Sequence, residues 1–358
     1  MGGTLEGMVN SSASSSVAVR PKDVEAPVID PRPAVLLVNL GTPEEPTAKK
    51  VRPYLREFLS DRRVVETHPV LWRPILEGII LPVRPKDSAE KYASIWLEEG
   101  SPLMHWTQRQ REELGKLLGE GVEVRIAMRY GQPAVQDELT RLYKDGFRRV
   151  LVLPVYPQYA ASSAGTVIDE VARWILSSRD QLEIRTIRSF QDSQVYIEAL
   201  ASALERSWEA GGRPDFAAGD KVITSFHSIP VAMHEAGDPY RFEALETARL
   251  LRERLGLEEE NLLVCFQSVF GRAEWIGPAT IDTVEKLGTE GVGRLDVICP
   301  GFMADCLETL EEINILNRET FIEAGGREFH YVPWANDSEG CVATLHEQAA
   351  RGIAGWVQ

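Results

Sequence analysis

The side chains best able to do chemistry crowd into Val297 to Glu312, VICPGFMADCLETLEE. Val297, Ile298 and Cys299 form a short apolar run that stops at Pro300-Gly301, as a buried strand does at its carboxyl end. Beyond it Asp305, Glu308 and Glu312 stand at i, i+3 and i+7, so a helix would carry them as one stripe with Leu307 and Leu310 turned the other way toward a core. Three carboxylates delivered by a strand tip onto one helix face suit a cation at the open end of an α/β sheet. The same residues also read as an N-cap with a capping-box acid on a solvated face. A second candidate, His227 in SFHSIP, ends another apolar run with Ser225 and Ser228 beside it. It is either a structural histidine or, at the mouth of a cleft shared with the acids, a general base. Tyr130, Tyr159, Tyr240 and Trp275 fall in loops after strands or in nearby connections. Singly each reads as packing, and collectively they suit a flat conjugated ligand.

The elements that must position these residues alternate along the chain. Apolar runs at residues 35–40, 124–128, 150–155 and 184–187 predict four strands, separated by amphipathic stretches such as Glu138 to Lys144. Runs at residues 222–226, 262–266, 295–299 and 329–332 predict four more. DGFRRVLVLP, from Asp145, and EGVGRLDVICP, from Glu290, share a helix end at Gly, a basic residue, an apolar strand and a proline. The pattern predicts two similar α/β units, each a four-stranded parallel sheet flanked by helices, with the ligand cleft between their carboxyl ends. The expected organisation is a disordered tail over 1–32, a first unit over 33–190 and a second over 191–358, whose last helix packs back on the first. About 90 residues separate the first two strands of the first unit against about 40 in the second. The surplus, roughly 42–105, holds Leu71, Trp72, Ile75, Leu76, Ile79, Ile80, Leu81 and Val83. It reads as a lip over an apolar ligand, as a face touching a membrane, or as an extra amphipathic helix on the core.

Composition excludes several classes. With 39 basic and 54 acidic residues the net charge is −15, which argues against nucleic acid as a partner. Cys265, Cys299, Cys306 and Cys341 show no CxxC pairing and read as buried free thiols of a reducing compartment. The first residues lack the apolar core of a secretory signal, Glu6 stands where a myristoylation motif wants Ser or Thr, and no run of 18 apolar residues spans a membrane. The absence of GxGxxG, GxxxxGK[ST], HExxH and GxSxG leaves nucleotide, zinc-protease and esterase readings without local support.

LLVNLGTPEEPT from Leu36, FLSDRRVV from Phe58, KYASIWLEEGSPL from Lys91, LPVYPQY from Leu153, SFHSIP from Ser225, FQSVFGRAEWIGP from Phe266 and CPGFMADCLETLEEI from Cys299 together resemble the ferrochelatases, in the short form of Gram-negative bacteria. The resemblance runs from about Pro33 to the carboxyl terminus. It implies a class II chelatase-like fold of two Rossmann-like units, and insertion of ferrous iron into protoporphyrin IX with release of two protons. His227 then matches the proton acceptor that meets the iron, and Glu308 the facing acid. Asp305 and Glu312 match further acids on a metal or proton path. Tyr92, Arg129, Tyr130, Tyr159, Ser162, Gln267, Tyr240 and Trp275 match pocket positions, and Arg84 and Lys86 fall near the ring propionates. Iron is a substrate in this scheme and no tightly bound cofactor is implied. Ala161 stands where some relatives bring a cysteine to a [2Fe–2S] cluster, and Cys341 is the only cysteine after Cys306, so no cluster is expected. The expected protein is a cytoplasmic monomer, with peripheral contact at the inner face of a membrane through the lip left open. A coproporphyrin III ferrochelatase and a non-catalytic tetrapyrrole carrier remain as alternatives.

Overall fold

The computed structural model describes residues 28–357 except 272. Its strands, in chain order, are β1 (Ala34–Gly41), β2 (Glu123–Tyr130), β3 (Arg149–Pro154), β4 (Glu183–Thr186), β5 (Lys221–His227), β6 (Leu262–Gln267), β7 (Arg294–Ile298) and β8 (Glu328–Tyr331). They pair in parallel as two sheets of order β2-β1-β3-β4 and β6-β5-β7-β8, so one topology occurs twice. Continuous apolar runs were legible as strands because helices cover both faces: every residue from Ala34 to Val38 is sealed from solvent. In each unit the first strand is central and its neighbours follow on opposite sides, which opens a crevice at the carboxyl ends.

The largest core belongs to both units, joining Val35, Leu37 and Leu151 to Leu200, Val222, Ile298 and Trp334. The last helix, Glu339–Gly352, returns to the first unit: a Cβ on Gly352 would sit 2.5 Å from Leu151 Cδ2. The tail expected over 1–32 lies outside the described residues as far as 27. Residues 28–32 are instead seated on the first unit, where the Asp30 N–H donates to the Gly146 carbonyl at 3.0 Å and Arg32 Nη1 to the Glu120 carbonyl at 3.1 Å. Those backbone acceptors are supplied by turns more than 80 residues downstream, which the local composition cannot report.

The surplus between β1 and β2 folds as the helices Ala48–Ser60, Pro69–Ile75 and Leu81–Ile95, the second and third joined by a π turn, followed by Pro102–Leu118. Its apolar residues divide. Leu76 and Leu81 are buried with Val51, Leu55, Leu59 and Tyr92 in a separate cluster against Tyr130. Val70, Leu71, Ile75, Ile79 and Val83 stay between 41% and 73% exposed, an outward ridge. Among the described residues no helix is long and apolar enough to cross a membrane.

Candidate active site between the sheet ends and the lip

β5 and β6 end at one level, while β7 stops three residues short in register, its last residue Ile298 pairing with Thr224. His227 and Gln267 are register partners at the tips of β5 and β6. Gln267 is buried and bonded on both ends: its Oε1 accepts from Ser225 Oγ at 2.8 Å, and its Nε2 donates to the Glu308 carbonyl at 2.7 Å. One side chain therefore sets the height of the Glu308 turn against the His227 strand. His227 Nδ1 lies 2.5 Å from the Ser228 carbonyl oxygen. A carbonyl only accepts, so Nδ1 carries the proton and Nε2 of the neutral ring keeps its lone pair. The flanking hydroxyls serve the frame instead, Ser225 bonding Gln267 and Ser228 donating to the Ile276 carbonyl at 2.7 Å.

The acidic stripe is not a single helix face. Residues 302–306 bend without helical structure, and the helix that follows, Glu308–Asn317, is a π-helix. Its buried positions are Thr309, Ile313 and Asn317, at intervals of four, rather than Leu307 and Leu310. The wider i→i+5 turn explains why 3.6-residue spacing misplaced the core face. Asp305 precedes the helix and is fully engaged, accepting from Thr309 Oγ1 at 2.8 Å, Tyr331 OH at 2.6 Å and Asn336 Nδ2 at 2.7 Å. Glu312 is also held, by the Ser268 N–H and Oγ at 2.6 Å each, one to each oxygen. Burial raises the Glu312 carboxyl above its ordinary range, against the Ser268 bonds and the nearby His227 that favour its charge, while the charge of Glu308 adds to the rise. The Glu308 carboxylate lies beside the Cys306 thiol, which burial and Glu308 push up. Among the described residues no three His, Cys, Asp or Glu side chains converge to hold a metal.

The lip supplies the opposite wall. Tyr92, on Leu81–Ile95, and Tyr54, on Ala48–Ser60, are buried beside Glu308; burial, joined at Tyr54 by the Tyr92 phenol and Glu308 and at Tyr92 by Glu308, pushes both hydroxyls far up, so both stay protonated donors. Lys91 pairs with Glu311 at 2.8 Å, tying the lip helix to the π-helix. Glu308 thus stands where the two units and the lip meet.

The remaining predicted residues separate into three groups. Arg129 and Tyr130 are structural at this level. Both bond Asp61, Tyr130 OH at 3.0 Å, while Arg129 Nε donates to the Thr166 carbonyl at 3.1 Å and Nη2 also meets Glu170 at 3.3 Å. Tyr240 is buried beneath His227, with its hydroxyl against the His227 backbone. Tyr159 and Ser162 lie half-buried after β3, where Arg188 stacks 4.3 Å over the Tyr159 ring. Trp275 lies half-buried in the loop after β6 and Arg84 half-buried on the lip helix, whereas Lys86 points outward, exposed. Sequence reasoning missed Asp61, Tyr54 and Tyr156. Asp61 was visible within FLSDRRVV as the one acid, next to two arginines and between two apolar pairs. Tyr156, whose buried hydroxyl lacks a partner among the described residues, was visible as the first tyrosine of YPQY. Asp61→Asn is expected to lower stability by about 2 kcal/mol, less than full loss of a buried pair because Glu170 still faces Arg129; equilibrium urea unfolding checks it.

The twice-repeated parallel sheet flanked by helices is a chelatase fold. SirB from Bacillus subtilis with Fe3+ superimposes with a TM-score of 0.53 over 91% of this chain and 99% of its own, at 12% identity, which is a likeness of fold. The family model for Ferrochelatase matches residues 32–352. The ferrochelatase of Azoarcus sp. (strain BH72) is 50% identical over 328 residues, 91% of this chain and 89% of that one. That of Dechloromonas aromatica (strain RCB) is 48% identical over 326 residues, 90% and 88% of the two chains. The chain belongs to the ferrochelatase family.

Proposed function

We propose that this protein inserts ferrous iron into protoporphyrin IX to give protohaem, the iron-insertion step of haem biosynthesis, with His227 and Glu308 as the catalytic pair. The meeting of these two residues at Gln267, opposite the lip tyrosines, carries the reading. A free-base porphyrin loses two pyrrole protons as Fe2+ takes their place, so the site must accept protons and pass a divalent ion without trapping it. The His227 Nε2 lone pair takes one proton, and the Glu308 carboxylate receives the other or the hydrated ion. Imidazole and carboxylate bind iron and exchange with water, whereas a closed four-ligand set would hold it. Asp305 and Glu312 line the route through their field and their grip on Asn336 and Ser268; entry of iron along them requires those bonds to open. Arg129 and Tyr130 act by fixing the wall through Asp61. Tyr92, Tyr159, Ser162 and Trp275 border the ring, Tyr240 and Gln267 support His227, and Arg84 meets a propionate.

The reading includes no iron–sulfur cluster, since Ala161 offers no thiolate and Cys341 is enclosed in the main core. It takes the protein as a cytoplasmic monomer whose exposed ridge touches a bilayer peripherally. Val83→Glu is expected to remove sedimentation with phospholipid vesicles while leaving solution metallation intact. Anaerobic incubation with porphyrin and Fe2+, followed by absorbance, tests the function. Protohaem formation supports it, tight binding without metallation indicates a carrier, and a higher rate with coproporphyrin III indicates the other ferrochelatase.

A further inference from the structure

The loop after β6 begins with a strained residue. Ser268 has φ 66°, and among the described residues the only other non-glycine with positive φ is Asn336. A serine there is disfavoured unless surroundings hold it, and Glu312 does so through both oxygens. The loop that this clamp directs carries Phe270 and Trp275, whose rings lie 4.8 Å apart while Trp275 Nε1 donates to the Phe270 carbonyl at 2.9 Å. Phe270 reaches the first unit: the Arg84 guanidinium carbon sits 5.1 Å from its ring centroid. Arg84 is a partly desolvated cation, with burial pulling its pKa down, and no described acid pairs with it. A buried cation without a counter-charge is costly, and an aromatic face compensates only in part.

We propose that Phe270 is a specificity-determining residue that parks Arg84 across the mouth, so that a carboxylate on the incoming ring must displace the aromatic ring to pair with the guanidinium. This rests on the ferrochelatase reading and adds a competitor to it: the stack lowers affinity for carboxylated rings and leaves neutral rings untouched. The experiment compares dissociation constants of a dicarboxylate porphyrin and its dimethyl ester for the full-length protein. Wild type binds the diacid more tightly. Phe270→Ala is expected to widen that preference about fivefold, the scale of one cation–π contact, because contacts of Phe270 with the macrocycle itself cancel in the ratio. In an Arg84→Gln background the preference collapses and Phe270→Ala no longer changes it. A ratio unmoved by Phe270→Ala, or moved equally without Arg84, overturns the proposal. Metallation by the wild type is a separate readout, so loss of the functional reading is distinguishable from loss of this one. Unfolding temperatures of the variants, expected within a few degrees of wild type, show that the fold is retained.

Discussion

Replacing His227 by Ala is expected to lower the anaerobic rate of iron insertion by about 10³-fold or more, roughly 4 kcal/mol of transition-state stabilisation. The size follows from two jobs lost together. In the proposed mechanism the ring meets the incoming iron at Nε2 and, once the iron has passed on, accepts a pyrrole proton at the same atom; its orientation is fixed by the Nδ1 contact with the Ser228 carbonyl. Alanine leaves a gap at the tip of β5 without disturbing that strand's pairing, so porphyrin binding should persist while turnover vanishes. Added imidazole, small enough for the gap, is expected to restore part of the rate, which a folding defect would not allow. Near-normal turnover in the variant would refute the assignment.

Glu308→Gln is expected to slow insertion by about 10²-fold with little change in porphyrin affinity. The amide keeps the shape and the backbone carbonyl that Gln267 grips at 2.7 Å, so the His227 side of the site stays in place. What disappears is a negative charge held among the phenols of Tyr54 and Tyr92 and the Cys306 thiol, a setting where few other groups can receive a proton or a divalent ion. The loss is smaller than for His227 because Glu312 still contributes its field nearby. Steady-state rates at saturating porphyrin, over a range of Fe2+ concentrations, separate the ion-delivery share from the proton share. A rate within twofold of wild type at every iron concentration would remove Glu308 from the mechanism.

These two effects differ in how visible their residues were. His227 was legible because it interrupts a hydrophobic run at a strand tip, and Glu308 because it follows Pro300-Gly301. Asp305 and Glu312 were legible as acids but not as occupied ones. Their partners Tyr331, Asn336 and Ser268 lie 26, 31 and 44 residues away, and no local pattern announces such bonds. Arg129 shows the same limit: its type suits a propionate, yet Asp61, 68 residues upstream, already claims it. The lip shows the same limit, since one apolar stretch packs Leu76 and Leu81 inward and turns Ile79 and Val83 outward.

The amino-acid order alone determined the eight strands, their repetition and the family likeness, because burial on both sheet faces writes itself into short-range hydrophobicity. Tertiary structure decided which polar side chains remain available for chemistry. That choice depends on partners brought close by folding: Asp305 and Glu312 are taken up by hydroxyls and amides from distant segments, whereas Glu308 is set among the phenols of Tyr54 and Tyr92.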